Sequence, residues 1–218
     1  MSASFSAPYS VALPGSSPNQ SPQRTGAAFR RSAVCYLPRP LGLVFGSTEE
    51  GAMAVVRPEQ PGDVAAIHAV HIAGFPTDVE ARLVSLLRAA GHLPVSLVAE
   101  ADGAVVGHVA FSPVSAAAGA VGAGLAPVAV LESYRRQGIA ARLIEAGLAA
   151  CRAAGFGWAV VMGEPAYYSR FGFRPASAFG LSDEYGGGPA FQVIELIPGG
   201  LPSGAGLVRY APEFASLG

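Results

Sequence analysis

Lysine is absent from this 218-residue chain; all 14 basic side chains are arginine. Schiff-base chemistry, a P-loop and a lysine nucleophile each need an amine that is not there. Charge of either sign is scarce: Asp, Glu, Lys and Arg make up 13% of the residues, about half the usual ~25%. Fourteen basic against 15 acidic residues give a formal net charge of −1. A phosphate-backbone binder would show a basic excess, so no nucleic-acid partner is expected. Cysteine is limited to Cys35 and Cys151, which make neither a disulfide framework nor a zinc site. No metal is expected, and a reducing cytoplasm is the expected compartment. Asparagine occurs once, at Asn19.

Apolar residues, in contrast, make up 51% of the chain, enough to bury a core. The length allows one domain with an extension, or two small domains. Gly103 to Leu131 carries no Asp, Glu, Lys or Arg and is long enough to span a bilayer. It is nevertheless punctuated by His108, Ser112, Pro113, Ser115, Pro127 and five glycines, and it alternates in places, as at Val106-Gly107-His108-Val109. It reads as two buried strands and a connection, with no membrane partner.

Residues 1–52 differ from the rest. They are rich in Ser, Pro, Gly and Ala, carry Arg24, Arg30, Arg31 and Arg39, and hold no acid before Glu49. They are expected to be a disordered leader or an extension upstream of a start at Met53; a targeting peptide is the other reading, since its composition is similar. No apolar period could bury a face there. A chain beginning at Met53 is therefore expected to melt at about the temperature of the full chain; calorimetry showing a large drop would mean that the leader packs on the domain.

Residues 53–200 read as one α/β domain, with 201–218 its C-terminal extension. Met53–Arg57 is a short strand. Val64, Ile67, Val70 and His71 mark a helix from Asp63 to about Gly74. Thr77 with Glu80 three residues on predicts a capping box for the next helix, which Gly91 stops. Ser96–Ala101 and Ala104–Val114 flank Asp102-Gly103, a type I′ hairpin signal. Val121–Leu131 is a third strand. Ile139, Leu143, Ala146 and Ala150 repeat at helical spacing, and Gly155 closes that helix. Phe156–Met162, Phe173 onward and Ala190–Ile197 complete a sheet, with a short helix around Pro165–Phe171.

The chemistry concentrates after Val128-Ala129-Val130-Leu131. An apolar strand runs into Glu132-Ser133-Tyr134-Arg135-Arg136-Gln137, and Gly138-Ile139-Ala140-Ala141 opens a helix. The first N–H groups of a helix lack intrahelical acceptors, and the macrodipole is positive there. Small residues and two arginines at such an end suit a phosphate or pyrophosphate. An ordinary strand–turn–helix with two surface arginines would have the same sequence.

Arg135-Arg136-Gln137-Gly138-Ile139-Ala140 resembles the Arg/Gln-x-x-Gly-x-Gly/Ala signature of the GNAT superfamily of N-acetyltransferases. Leu125–Val130 resembles that family's central strand. Tyr167-Tyr168-Ser169-Arg170-Phe171-Gly172-Phe173 resembles its Tyr-x-Lys/Arg-x-Gly-Phe element, and Pro165–Pro175 is most similar to the uncharacterised acetyltransferases of the YhbS type. Arg170 stands for the more usual Lys, and Gly163-Glu164-Pro165 occupies the place where the family commonly has Asn.

The resemblance implies a mixed, mostly antiparallel central sheet flanked by helices. It implies acetyl-CoA as donor and a primary amine, on a small molecule or peptide, as acceptor; it leaves room for a homodimer. Val128, Ala129 and Val130 would pair with the pantetheine arm. Arg136, Gln137, Gly138, Ile139, Ala140 and Ala141 would hold the pyrophosphate, and Arg135 would support the turn. Tyr168 would protonate the departing thiolate, with Tyr167 the alternative. Glu132, Glu164, His108 and Glu100 are the candidate bases, and proton transfer through water, as in many relatives, would need none of them. Phe75–Thr77 and Leu181–Pro189, with Asp183 and Glu184, are the candidate acceptor loops. A CoA-binding module without catalysis and a different acyl donor are compatible with the same motifs.

Overall fold

The computed structural model describes residues 54–116, 119–204 and 206–217. The expected leader at 1–52, and Met53 with it, lies outside the described residues. The elements follow in the order β1 (Val55–Pro58), α1 (Val64–Gly74), α2 (Val79–Ala89), β2 (Val95–Ala101), β3 (Ala104–Ser115), β4 (Val121–Val130), α3 (Ile139–Ala153), β5 (Trp158–Met162), α4 (Pro165–Tyr168), β6 (Arg174–Pro175), β7 (Leu181–Asp183), β8 (Phe191–Glu195) and β9 (Gly206–Val208). Seven strands form one sheet in the order β1-β2-β3-β4-β5-β8-β6. Every pairing in it is antiparallel except β4 with β5. The mixed, mostly antiparallel sheet flanked by helices is therefore present.

Local chemistry explains the sharpest features. Asp102 and Gly103 both take positive φ, 53° and 74°, which a type I′ turn requires at its two central residues. They join β2 to β3, so most of the charge-free stretch from Gly103 is hairpin strand and β4. Among the described residues no helix is long and apolar enough to cross a membrane. Helix α3 ends in a Schellman motif: Phe156 N–H reaches the Cys151 carbonyl at 3.0 Å and Gly155 N–H that of Arg152 at 3.0 Å. The capping box expected at Thr77 is not formed. Helix α2 begins two residues later, after Asp78, and Glu80 is buried instead of reaching back. The reciprocal arrangement sits earlier, where the Asp63 carboxylate accepts the Gln60 N–H at 2.7 Å.

Alternation along β3 assigns the two faces of the sheet. Val109 and Phe111 pack with Leu143, Ile144 and Leu148 of α3. Ala110 packs with Ile67 of α1 and Val84 of α2. Helix α3 approaches β3 closely at Gly147, where a Cβ would stand 2.2 Å from Cε2 of the buried Phe111. Gly147→Ala is expected to cost about 1–3 kcal/mol through overpacking, read as a lower urea midpoint. An unchanged midpoint would mean that the helix slides away without loss. The C-terminal segment joins the domain: β9 pairs with β7, and Phe214 is buried with Leu83, Leu87 and Ala126.

Candidate active site

A β-bulge opens the sheet. Val109 pairs with Val128 and Phe111 with Leu125, so Ala126 and Pro127 together stand against Ala110 alone. Such a bulge bends its strand and changes its direction. The pairing of β4 with β5 covers only Ala123–Leu125 against Ala159–Val161. Beyond it, Val128, Ala129 and Val130 keep β3 on one side and have no β5 partner on the other. An open strand edge is a template for an extended ligand with amide groups.

The edge leads into the Arg135–Ala141 turn. Arg135 Nε donates to the Val130 carbonyl at 2.9 Å, tying the turn to the end of the strand. Arg136 and Gly138 take positive φ, 63° and 78°, and Gly138 is the residue from which α3 starts. Val128, Ala129, Val130, Arg136, Gly138, Ile139, Ala140 and Ala141 line one cavity of about 280 Å³. Gly74, Tyr134, Arg135, Tyr167 and Arg170 complete its wall. Of the expected donor residues, only Gln137 is not in the lining; its amide donates to the Ser133 carbonyl at 3.2 Å.

An aromatic group closes the far side. Tyr167 lies half-buried in the cavity wall, with the Arg170 guanidinium 4.8 Å from its ring centroid. Tyr168 is buried behind it, edge-on to Tyr167 at 5.1 Å and to Phe173 at 5.9 Å. Its ring occupies the space a side chain at Gly163 would need: a Cβ there would stand 2.3 Å from Tyr168 Cε2. That places Tyr168 at the end of β5, beside the point where β4 and β5 part. Burial raises both phenols above their ordinary value. They stay protonated through neutral pH.

Residues 94–175 match the family model for the acetyltransferase (GNAT) domain. The uncharacterized N-acetyltransferase YhbS of Escherichia coli K12 is 42% identical over 163 residues, spanning 73% of this chain and 98% of that protein. The chain belongs to the GNAT acetyltransferases. The crystal structure of E. coli YhbS in complex with CoA is 40% identical and superposes with a TM-score of 0.73, covering 78% of this chain and 96% of that one. A GNAT family acetyltransferase from Brucella melitensis in complex with acetyl-CoA is 37% identical, with a TM-score of 0.62 over 74% of this chain and 97% of that one.

The remaining polar candidates of this GNAT chain are spread apart. Glu100 pairs with Arg57 at 2.7 Å on the outer β1–β2 edge. Glu132 is exposed, and Glu164 is half-buried just before α4. His108 is fully buried and bonded to His71. The expected loop at Leu181–Pro189 is partly strand: Leu181–Asp183 is β7. The Asp183 carboxylate accepts the N–H groups of Tyr185 at 2.8 Å and Gly187 at 2.9 Å, so it organises its own turn. Glu184 is exposed. Sequence reasoning missed Gly74 and Tyr134 in the wall, and it read His71 only as a helix-face residue. Among the described residues no group of three or more His, Cys, Asp or Glu side chains is placed to hold a metal.

Proposed function

We propose that this GNAT chain transfers an acetyl group from acetyl-CoA to a primary amine by direct attack of the amine on the thioester. The observation that carries the reading is the continuous path from the open β4 edge at Val128–Val130 to the start of α3 at Gly138. The pantetheine amides pair with that edge as an added strand. The pyrophosphate sits on the N–H groups from Gly138 to Ala141, with Arg136 beside it, where the helix dipole favours an anion. Gln137 contributes its backbone, since its side chain is turned to Ser133. The CoA and acetyl-CoA held by the two relatives support this donor.

The transfer needs a neutral amine, a donor for the oxyanion and an acid for the leaving thiolate. The oxyanion is met by a backbone N–H near Val130, on the edge that β5 leaves open. Tyr168 is the acid: it stands where β4 and β5 part, and burial keeps its proton on. A second reading gives the acid to Tyr167, because it is Tyr167 that lines the cavity.

Thiol release from acetyl-CoA, measured with spermidine, tryptamine, a lysine peptide and a peptide with a free N-terminus, tests the function. Amine-dependent release with an N-acetylated product is expected for at least one of them. CoA binding with no amine-dependent release from any would favour a module that binds CoA without catalysis.

A further inference from the structure

The wall of the cavity carries one cation that the turn before α3 does not account for. Arg135 is tied to the Val130 carbonyl, and Arg136 stands in the turn itself. Arg170 comes from another part of the chain, the short turn Ser169–Phe171 that follows α4, and lines the same cavity. Among the described residues it forms no ion pair with a carboxylate. Its guanidinium lies over two rings instead, 4.8 Å from the Tyr167 centroid and 5.2 Å from that of Phe171. The side chain is exposed, at the rim of the cavity.

The backbone under Arg170 is fixed. The Tyr167 and Tyr168 N–H groups both donate to the Glu164 carbonyl, at 3.0 and 3.1 Å, and the Gly172 N–H closes the turn on the Ser169 carbonyl at 3.0 Å. Tyr168 and Phe173 are buried on either side of the turn and anchor it. Stacking occupies the faces of the guanidinium and leaves the N–H groups at its edge for another partner. An arginine held in this way loses little freedom on meeting an anion, and its edge matches a phosphate through two parallel hydrogen bonds.

Position separates two anions of the donor. In the donor reading the pyrophosphate takes the end of α3, on the N–H groups from Gly138 to Ala141. Arg170 stands to the side of that helix. Tyr167 links the two: burial raises its phenol, Arg170 lowers it, and Glu145 raises it. Glu145 lies on the flank of α3, one turn past Ala141. In CoA the 3′-phosphate hangs from the same ribose whose 5′ oxygen carries the pyrophosphate. A second anion therefore comes to lie a few atoms to the side of the first. It carries about −1.5 to −2 charges at neutral pH. The helix end, equivalent to about half a positive charge, is already taken by the pyrophosphate, so the second anion needs a cation of its own.

We propose that Arg170 holds the 3′-phosphate of CoA and makes the enzyme choose CoA over 3′-dephospho-CoA. The contact is a charge-assisted pair in which no covalent bond changes. It makes the chain read its donor at two places, the pantetheine along β4 and the nucleotide beside α4. This inference rests on the acetyl-CoA donor reading.

Calorimetry of the full chain with CoA and with 3′-dephospho-CoA tests it. The wild type is expected to bind CoA about 10-fold more tightly, the size of one exposed hydrogen-bonded charge pair. Arg170→Ala is expected to lose that factor for CoA and to keep the wild-type affinity for 3′-dephospho-CoA, so that the two ligands become equal. Arg170→Gln, which keeps a hydrogen-bonding amide and loses the charge, is expected to behave as Arg170→Ala does. Binding of 3′-dephospho-CoA also checks that each variant is folded. Equal affinity of the wild type for the two ligands would overturn the proposal, and so would a preference for CoA that survives in either variant. Variants that lose both ligands to the same extent would overturn it too, because Arg170 would then serve the pyrophosphate, the adenine or the packing of Tyr167. A wild type that binds neither ligand would overturn the donor reading itself.

Discussion

Gly138→Asp is expected to abolish CoA binding and leave the fold standing. Gly138 has a φ of 78°, a conformation that Asp tolerates better than most residues. A Cβ built there meets nothing within 4 Å, so the folded protein has room for the side chain. A carboxylate at this place faces the positive end of α3 and favours the helix on its own. The same carboxylate stands where the pyrophosphate would bind, and like charges brought together cost several kcal/mol. Affinity for CoA should fall by more than about 10²-fold, while the melting temperature drops only slightly, since the positive φ strains Asp but the helix dipole offsets part of that strain. Calorimetry finding unchanged CoA affinity would remove the donor site from this turn.

Tyr168→Phe is expected to lower kcat by about 10²–10⁴-fold, the usual share of an acid–base group. The ring, packed between Tyr167, Phe173 and the Gly163 backbone, stays in place. The Michaelis constant for acetyl-CoA should barely move, since β4 and the α3 N-terminus hold the donor. Tyr167→Phe is the control, with a mild effect expected. The wild-type rate should fall on the alkaline side only above the ordinary phenol value of ~10, because burial raises Tyr168. That limb should vanish in Tyr168→Phe. If the two variants exchange behaviour, the acid is the cavity-lining Tyr167. If both keep the full rate, the thiolate leaves unaided and the site acts through positioning.

What could be read from the sequence was what local chemistry decides. Asp102-Gly103 announced its hairpin because few other residue pairs tolerate two positive φ angles. The turn before α3 was legible because Arg135 to Ala141 lie together in the chain. What depends on contacts distant in sequence was not. The bulge at Ala126–Pro127 exists only against Ala110; Pro127 marks an irregular place in the run, but not which residue it stands against. Thr77 and Glu80 had the spacing of a capping box, but burial of Glu80 overrode it. Asp183 had the charge to receive an amine, yet the turn at Tyr185–Gly187 uses both its oxygens. His71 and His108 are 37 positions apart, and only the packing of α1 over β3 makes them a pair.

The measurement that tests the account most directly is a crystal structure of this chain with CoA bound. The pyrophosphate should lie within hydrogen-bond distance, about 2.7–3.2 Å, of the N–H groups between Gly138 and Ala141. The pantetheine should run along Val128–Val130 and bring the sulfur to the parting of β4 and β5, beside Tyr168. CoA bound elsewhere, or a pyrophosphate that leaves the α3 N-terminus untouched, would contradict it.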